Sequence, residues 1–174
     1  MMKYILILIG MGILVSCTNK TRNTNDLDVR SLLLQQLKNT HNNQEWFVPS
    51  IKAIENLSAE QSNRRDSTAN HSIGELTSHL IFWNEKHLKA IKGEDLSDFQ
   101  IESNEVTFKK YKDLEWKTAV QKLDHQQSEL EMLIENATPE QIDQWGSAIA
   151  NLAAHNAYHT GQIIYIRKQN GWWK

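Results

Sequence analysis

The sequence contains a single cysteine, Cys17, among 174 residues. One cysteine cannot form a disulfide within the chain, so a small domain held together by disulfides is excluded. The chain also has no cluster of thiolates to hold a metal. Any metal site must therefore use nitrogen and oxygen ligands, which in proteins come mainly from histidine and from acidic side chains.

Proline and glycine are also scarce, with two and seven copies respectively. Both residues interrupt regular backbone structure, so their scarcity favours long helices or strands. No segment shows the sustained alternation of apolar and polar residues that has the two-residue period of a β-strand. The composition therefore predicts an all-α protein.

The chain also has no large excess of positive or of negative charge. The chain has 19 Lys and Arg against 21 Asp and Glu, for a formal net charge of −2. Binding to a phosphate backbone needs positive charge concentrated on one face, and no such concentration is present. We therefore predict no nucleic-acid partner.

The N-terminus has the pattern of a bacterial export signal. A positive charge at Lys3 precedes an apolar run over residues 5–15 that is too short to span a bilayer as a stable helix. The run ends in Leu14-Val15-Ser16-Cys17, which resembles the lipobox of bacterial lipoproteins. In that family the chain is cut before the cysteine, which is then acylated. The alternative is an ordinary signal peptide or an uncleaved anchor.

Processing at Cys17 would divide the chain into three parts. These are a signal peptide at residues 1–16, a polar tether at 17–27 and a folded domain at 28–174. Acyl chains on Cys17 would hold the domain at a membrane surface. The predicted location is the bacterial cell envelope, with the domain lipid-anchored on the periplasmic or surface side.

Three capping boxes divide the domain into helices. They start at Ser58, Ser72 and Thr138, each followed three residues later by Glu or Gln. Apolar residues three and four apart predict helices over residues 28–41, 50–57, 73–92, 114–136 and 147–170, with a short helical turn after Thr138. Residues 94–111 form a long polar connection, which we expect to cover a site. The sequence thus predicts a four-helix bundle with a long connection between its second and third main helices.

Two histidines near the C-terminus form the most informative pair in the chain. His155 and His159 are four residues apart, which places them on one face of a helix, in the same stripe as apolar residues. Two imidazoles side by side in a core can be satisfied by one metal ion. A useful site needs at least one more ligand, and by position His79 and His87 are both candidates.

The other histidines are expected away from this pair. His41 ends the first helix, where a cation complements the helix dipole. His71 precedes a helix cap and is expected in solvent, and His125 lies among polar residues of its helix. The spacing of the residues leaves the choice between His79 and His87 open.

Two segments resemble the DinB-like family of four-helix metal proteins. They are HSIGELTSHLIFW at residues 71–83 and HNAYHTGQIIYIRK at residues 155–168, and the similarity extends over residues 28–172. The resemblance implies a DinB-like bundle in which His79, His155 and His159 bind a divalent metal ion. Zinc, nickel, iron and manganese are the metals considered.

The resemblance also implies metal-assisted chemistry on a small molecule, as a hydrolase or a transferase. Transfer of low-molecular-weight thiols is disfavoured outside the cytosol, where such thiols are mainly found. The alternative is a non-catalytic, stress-related lipoprotein that binds a metal or a ligand. A third hypothesis is that the apolar helix faces only build the interface of a homodimer.

No general acid or base stands out beside the three histidines. Glu75 lies one turn before His79, but it is also the third residue of the capping box that starts at Ser72. Trp83, one turn after His79, is a candidate wall of a pocket. Gln162 follows His159 on the same face and is a candidate to hydrogen-bond a metal-bound water or a ligand.

Overall fold

The computed structural model describes residues 28–65 and 71–173, and every regular element in them is helical. The α-helices are α1 (Val29–His41), α2 (Ser50–Ile54), α3 (Ala59–Asn63), α4 (Ile73–Lys92), α5 (Asp113–Glu135) and α6 (Pro139–Gln169). The described residues thus confirm the prediction of an all-α bundle with four long helices. The predicted signal peptide at residues 1–16, Cys17 and the tether at 17–27 lie outside the described residues.

The four long helices form a closed ring of neighbours. Helices α4 and α1 each pack against both α5 and α6, so α1 and α4 occupy opposite corners of the bundle. The short helices α2 and α3 cover one end. The long connection between α4 and α5 contains two short 3₁₀ turns, at Ser97–Phe99 and Asn104–Thr107.

The apolar interior has two parts, with polar groups between them on α4 and α6. One part contains Ile73, Leu76 and Leu80 of α4 together with Ile163 and Ile166 of α6. The other contains Leu88 of α4 together with Ile149 and Leu152 of α6. His79 and Asn84 of α4 and Asn156 and His159 of α6 are among the buried polar residues of these two helices. The site therefore lies at a polar layer that separates the two apolar clusters on α6 and adjoins the first cluster on α4.

The capping boxes start helices where the sequence predicts them. Ser72 accepts from the backbone of Glu75, whose side chain accepts from the Ser72 backbone at 2.7 Å. At its other end, α4 stops at Gly93, which has a φ of 70° in the left-handed region that glycine tolerates. These two ends fix the register of α4 and so the direction in which His79 points.

The last helix differs from the prediction. We expected a short helical turn after Thr138 and a separate helix from residue 147, but α6 runs without a break over 31 residues. Gly146 costs a helix only about 1 kcal/mol, and it is half-buried and faces Leu33. Burial of Ile142 and Ile149 on either side outweighs that cost.

The second helix of the chain also ends earlier than predicted. We expected it to reach residue 57, but α2 ends at Ile54 and Asn56 adopts a left-handed backbone with a φ of 58°. The buried guanidinium of Arg167 donates to the carbonyls of Lys52, Ala53 and Glu55, where α2 ends. A side chain from α6 thus satisfies carbonyls that a longer helix would have used.

Two of the remaining histidines are placed differently from the expectation. His71 is half-buried, not solvated, and stacks on Phe108 with ring centroids 3.7 Å apart. His41 is in the last turn of α1 as expected, but it is 1% exposed and bonds to Glu131 and Asp124 of α5. His125 is exposed, as expected.

Helices long and apolar enough to cross a membrane are absent from residues 28–65 and 71–173.

Candidate metal centre

Three histidines from two helices converge in the polar layer of the bundle. His79 comes from α4, and His155 and His159 come from successive turns of α6. One ring nitrogen of each lies within 4.8 Å of the other two. The three side chains could therefore hold one metal ion.

Thr107 fixes the orientation and tautomer of His79. The Thr107 hydroxyl donates its single proton to the carbonyl of Asn104 at 2.7 Å. The 2.6 Å contact between His79 Nδ1 and Thr107 Oγ1 must then be made with the proton of Nδ1. The neutral ring consequently presents the lone pair of Nε2 to the other two histidines.

Gln162 does the same for His159. Its amide oxygen lies 2.7 Å from His159 Nδ1, and its amide nitrogen points to the hydroxyl of Tyr158. Because the oxygen can only accept, Nδ1 carries the proton and Nε2 has the lone pair. The sequence suggested that Gln162 bonds a metal-bound water or a ligand, whereas the structure has it bonded to the far side of the His159 ring.

The spacing between the rings suits a metal ion. The Nε2 atoms of His79 and His155 are 3.1 Å apart. Two nitrogens bound to a tetrahedral zinc ion, at about 2.05 Å each, lie about 3.3 Å apart. Without a metal the contact needs a proton on His155 Nε2, and a bound metal would take the place of that proton.

The surroundings keep all three imidazoles neutral. Burial, followed by the repulsion of positive charge on His159 and His155, lowers the pKa of His79 to about 3. Burial and the proximity of His159 lower the pKa of His155 to about 4. Burial also lowers the pKa of His159. Neutral imidazole is the form that binds a metal, so at pH 7 the site needs to lose no proton from an imidazolium.

A cavity of about 500 Å³ opens beside the site. His79 and His155 form one part of its wall, and Trp83 and Leu152 supply apolar surface. The rest of the lining is His87, Ile101, Glu102, Ser103, Asn104 and Asn151. The long connection between α4 and α5 thus forms one wall of the cavity, in keeping with the expectation that it covers a site.

The sequence profile of the DinB superfamily matches residues 50–163. The chain belongs to the DinB superfamily. The match includes all three converging histidines and the connection that supplies Thr107. No match to the chain was found among curated proteins or among solved structures.

Within this DinB domain, the remaining residues singled out from the sequence are Glu75, Trp83 and His87. Glu75 closes the capping box of α4 and lies 3.7 Å from Arg65, so its position is explained without catalysis. Trp83 lines the cavity. His87 is not among the three converging histidines but lines the same cavity.

Sequence reasoning missed Thr107 and Phe108. Thr107 orients His79, and the ring of Phe108 stacks on that of His79 at 4.4 Å between centroids. Both residues are in the polar connection, which has no periodic pattern to indicate which side chains turn inward. Only the packing of the connection against α4, aided by a hydrogen bond from Ser78 to the Thr107 carbonyl, reveals their role.

Proposed function

We propose that the DinB domain binds one divalent metal ion through Nε2 of His79, His155 and His159. The observation that carries this proposal is the set of three neutral imidazoles, two of them held with the lone pair directed inward. Imidazole suits zinc, nickel and iron, and manganese is the weaker candidate because it prefers oxygen ligands.

We propose further that the site serves a hydrolase or a transferase acting on a small molecule. A divalent metal bound there would supply a Lewis acid that polarises a substrate and favours the deprotonated form of a nucleophile. Three protein ligands leave at least one coordination position open, as in catalytic zinc sites. The adjoining cavity of about 500 Å³ has the size of a small-molecule site and combines apolar walls with a few polar groups.

The second candidate is a non-catalytic lipoprotein that binds a metal or a ligand. The observation that favours it is that Glu75, the only carboxylate one turn from His79, is engaged in the helix cap. A metal-binding protein without turnover needs the three histidines and the residues that hydrogen-bond to their rings, but no further reactive group.

Metal analysis of the purified chain tests the site. We expect about one equivalent of a divalent metal per chain in the wild type and a strong loss in His79→Ala. His125→Ala is the matched control, because His125 is exposed and is not among the converging residues. Equal metal content in wild type and His79→Ala would refute the proposal.

An activity screen then separates the two candidate functions. The metal-loaded chain is assayed against panels of small esters, amides and thiol-transfer acceptors. Turnover that is lost in His155→Ala and after chelation supports the enzyme. Stoichiometric metal without turnover in any panel favours the binding protein.

We propose that the domain is anchored to the bacterial cell envelope through a lipidated Cys17. The support is the sequence Leu14-Val15-Ser16-Cys17 after an apolar run. In a bacterial host, labelled palmitate should be incorporated into the wild type and not into Cys17→Ser. Label in both proteins, or in neither, would contradict the anchor.

We also propose a homodimer through the outer face of α6. No Asp, Glu, Lys or Arg occurs from Gln144 to Ile166, although Tyr158 and Tyr165 on this stretch are exposed. An uncharged face can meet its own copy about a two-fold axis without like-charge repulsion. Light scattering should give twice the chain mass for the wild type and the chain mass for Tyr158→Glu.

A further inference from the structure

His87 shares the cavity with two of the three converging histidines. It is on α4, two turns after His79, so their Cα atoms are about 12 Å apart along the helix axis. Helical side chains lean toward the N-terminus, and because both histidines lean the same way, this offset along the axis is kept. His79, His87 and His155 all line the same cavity of about 500 Å³.

One hydrogen bond sets the tautomer of His87. Its Nδ1 lies 2.8 Å from the carbonyl oxygen of Trp83. A carbonyl can only accept, so Nδ1 carries the proton and Nε2 of the neutral ring has a free lone pair. The same carbonyl holds the ring in place, since Trp83 is one turn earlier on the same helix.

The other groups of the cavity are less suited to accept a proton. In the proposed function, the lone pairs of His79 and His155 are committed to the metal. Glu102 is on the exposed connection, where water competes for its carboxylate. Ser103, Asn104 and Asn151 have no basic group. His87 is thus the remaining histidine in the lining with an available lone pair.

We propose that His87 is the proton acceptor of the metal cavity. The cavity would bind a small molecule that places an O–H or S–H group between the metal site and His87 Nε2. The O–H or S–H bond breaks, the oxygen or sulfur keeps the electron pair, and the proton forms the Nε2–H bond of an imidazolium. The proton then passes to a leaving group or to water at the mouth of the cavity. This inference rests on the proposed metal site, and it supplies the reactive group that the sequence did not reveal.

Proton release during ligand binding tests this role without requiring the natural substrate. The probe is acetohydroxamic acid, which binds zinc as its anion and must give up a proton. The zinc-loaded full chain is titrated by calorimetry at pH 7 in two buffers that differ in ionisation enthalpy. The titratable groups of the cavity wall are His79, His87, His155 and Glu102. Because any of them could take up the proton, the number of protons released to the buffer is compared between variants.

We expect the wild type to retain most of the proton on His87. His87→Gln should release about one proton to the buffer and bind the probe about tenfold more weakly, the equivalent of one lost hydrogen bond. His125→Gln is the control and should match the wild type, since His125 is exposed on α5. Equal proton release and equal affinity in wild type and His87→Gln, at equal zinc content, would overturn the inference.

Two further measurements keep the outcomes distinct. Zinc analysis of the same samples identifies a failure of the metal site itself, because the wild type would then lack zinc. If His87→Gln does not fold, the long-range ¹H–¹⁵N spectrum of the wild type decides the matter. We expect a protonated Nδ1 and an unprotonated Nε2 for His87, and the opposite tautomer would refute the proposal.

Discussion

His79 and Thr107 are joined by a hydrogen bond of 2.6 Å between Nδ1 and the hydroxyl oxygen. The hydroxyl in turn donates to the carbonyl of Asn104. This chain of two bonds links a helix of the bundle to the connection that follows it. The orientation of His79 in the candidate metal site therefore depends on a residue that is 28 positions away in the sequence.

Thr107→Val should weaken metal binding while keeping the shape of the side chain. The variant leaves Nδ1 of His79 without its acceptor, so the ring is no longer held in the tautomer that binds. Loss of such a supporting bond typically costs about 10- to 100-fold in metal affinity. Zinc affinity is measured by competition with a coloured chelator. Thr118→Val on the exposed face of α5 is the control, and a similar affinity loss in both variants would contradict the role of Thr107.

Zinc should raise the melting temperature of the chain. Because the three ligands converge only in the folded state, binding stabilises that state by mass action, by about 2.7 kcal/mol when free zinc is 100 times the dissociation constant. The shift should vanish with excess chelator and in His159→Ala. Thermal unfolding followed by circular dichroism measures it, and a melting temperature that chelator leaves unchanged in the zinc-loaded wild type would argue against the site.

His79 should make the metal-free chain less stable in mild acid. In the unfolded state a histidine takes up a proton below about pH 6.5, whereas burial and the neighbouring imidazoles lower the pKa of His79 to about 3 in the fold. Protonation thus favours the unfolded state between these values. The free energy of unfolding should fall with pH by up to about 1.4 kcal/mol per unit from this residue.

Urea unfolding in chelator at pH 6.5 and pH 4.5 measures this effect. His79→Gln removes the histidine from both states, so its stability should fall less between the two pH values than that of the wild type. His125→Gln serves as the control because that side chain is exposed. The prediction fails if His79→Gln and the wild type lose the same stability.

The contribution of His41 to the stability of the fold should depend on pH in the opposite direction. Burial alone would lower its pKa, but the hydrogen bonds and charges of Glu131 and Asp124 outweigh burial and raise the pKa. The protonated ring then favours the folded state, a contribution that is complete below about pH 6.5 and is lost as the pH rises through the raised pKa.

Glu131→Gln tests this ion pair. It removes the charge that accepts from His41 Nδ1 at 2.7 Å, and it should destabilise the fold by about 1–3 kcal/mol at pH 6 and by less at pH 9. Glu135→Gln on the exposed side of α5 is the control. A loss of stability that is equal at both pH values would indicate that His41 is not charged in the fold.

Much of the helical pattern could be predicted because its signals are local. The capping boxes at Ser58, Ser72 and Thr138 each start a helix, and Gly93 ends α4. The prediction of a break before residue 147 was wrong, since a helix can absorb one glycine when buried residues on both sides hold it in place. The short α2 could not be predicted, because the guanidinium that meets its carbonyls comes from Arg167, more than a hundred residues later.

The sequence by itself determined the composition of the candidate site. The four-residue spacing of His155 and His159 places both on one helical face, because it depends only on helix geometry. Spacing left His79 and His87 open as the third histidine, and it was the resemblance to the DinB-like family that implied His79. Tertiary structure decided the roles of Thr107, Gln162 and His87. In a neutral histidine, Nε2 is free to bind a metal or to take up a proton when Nδ1 carries the ring proton and donates it in a hydrogen bond. The group that accepts this hydrogen bond is fixed by packing and not by spacing.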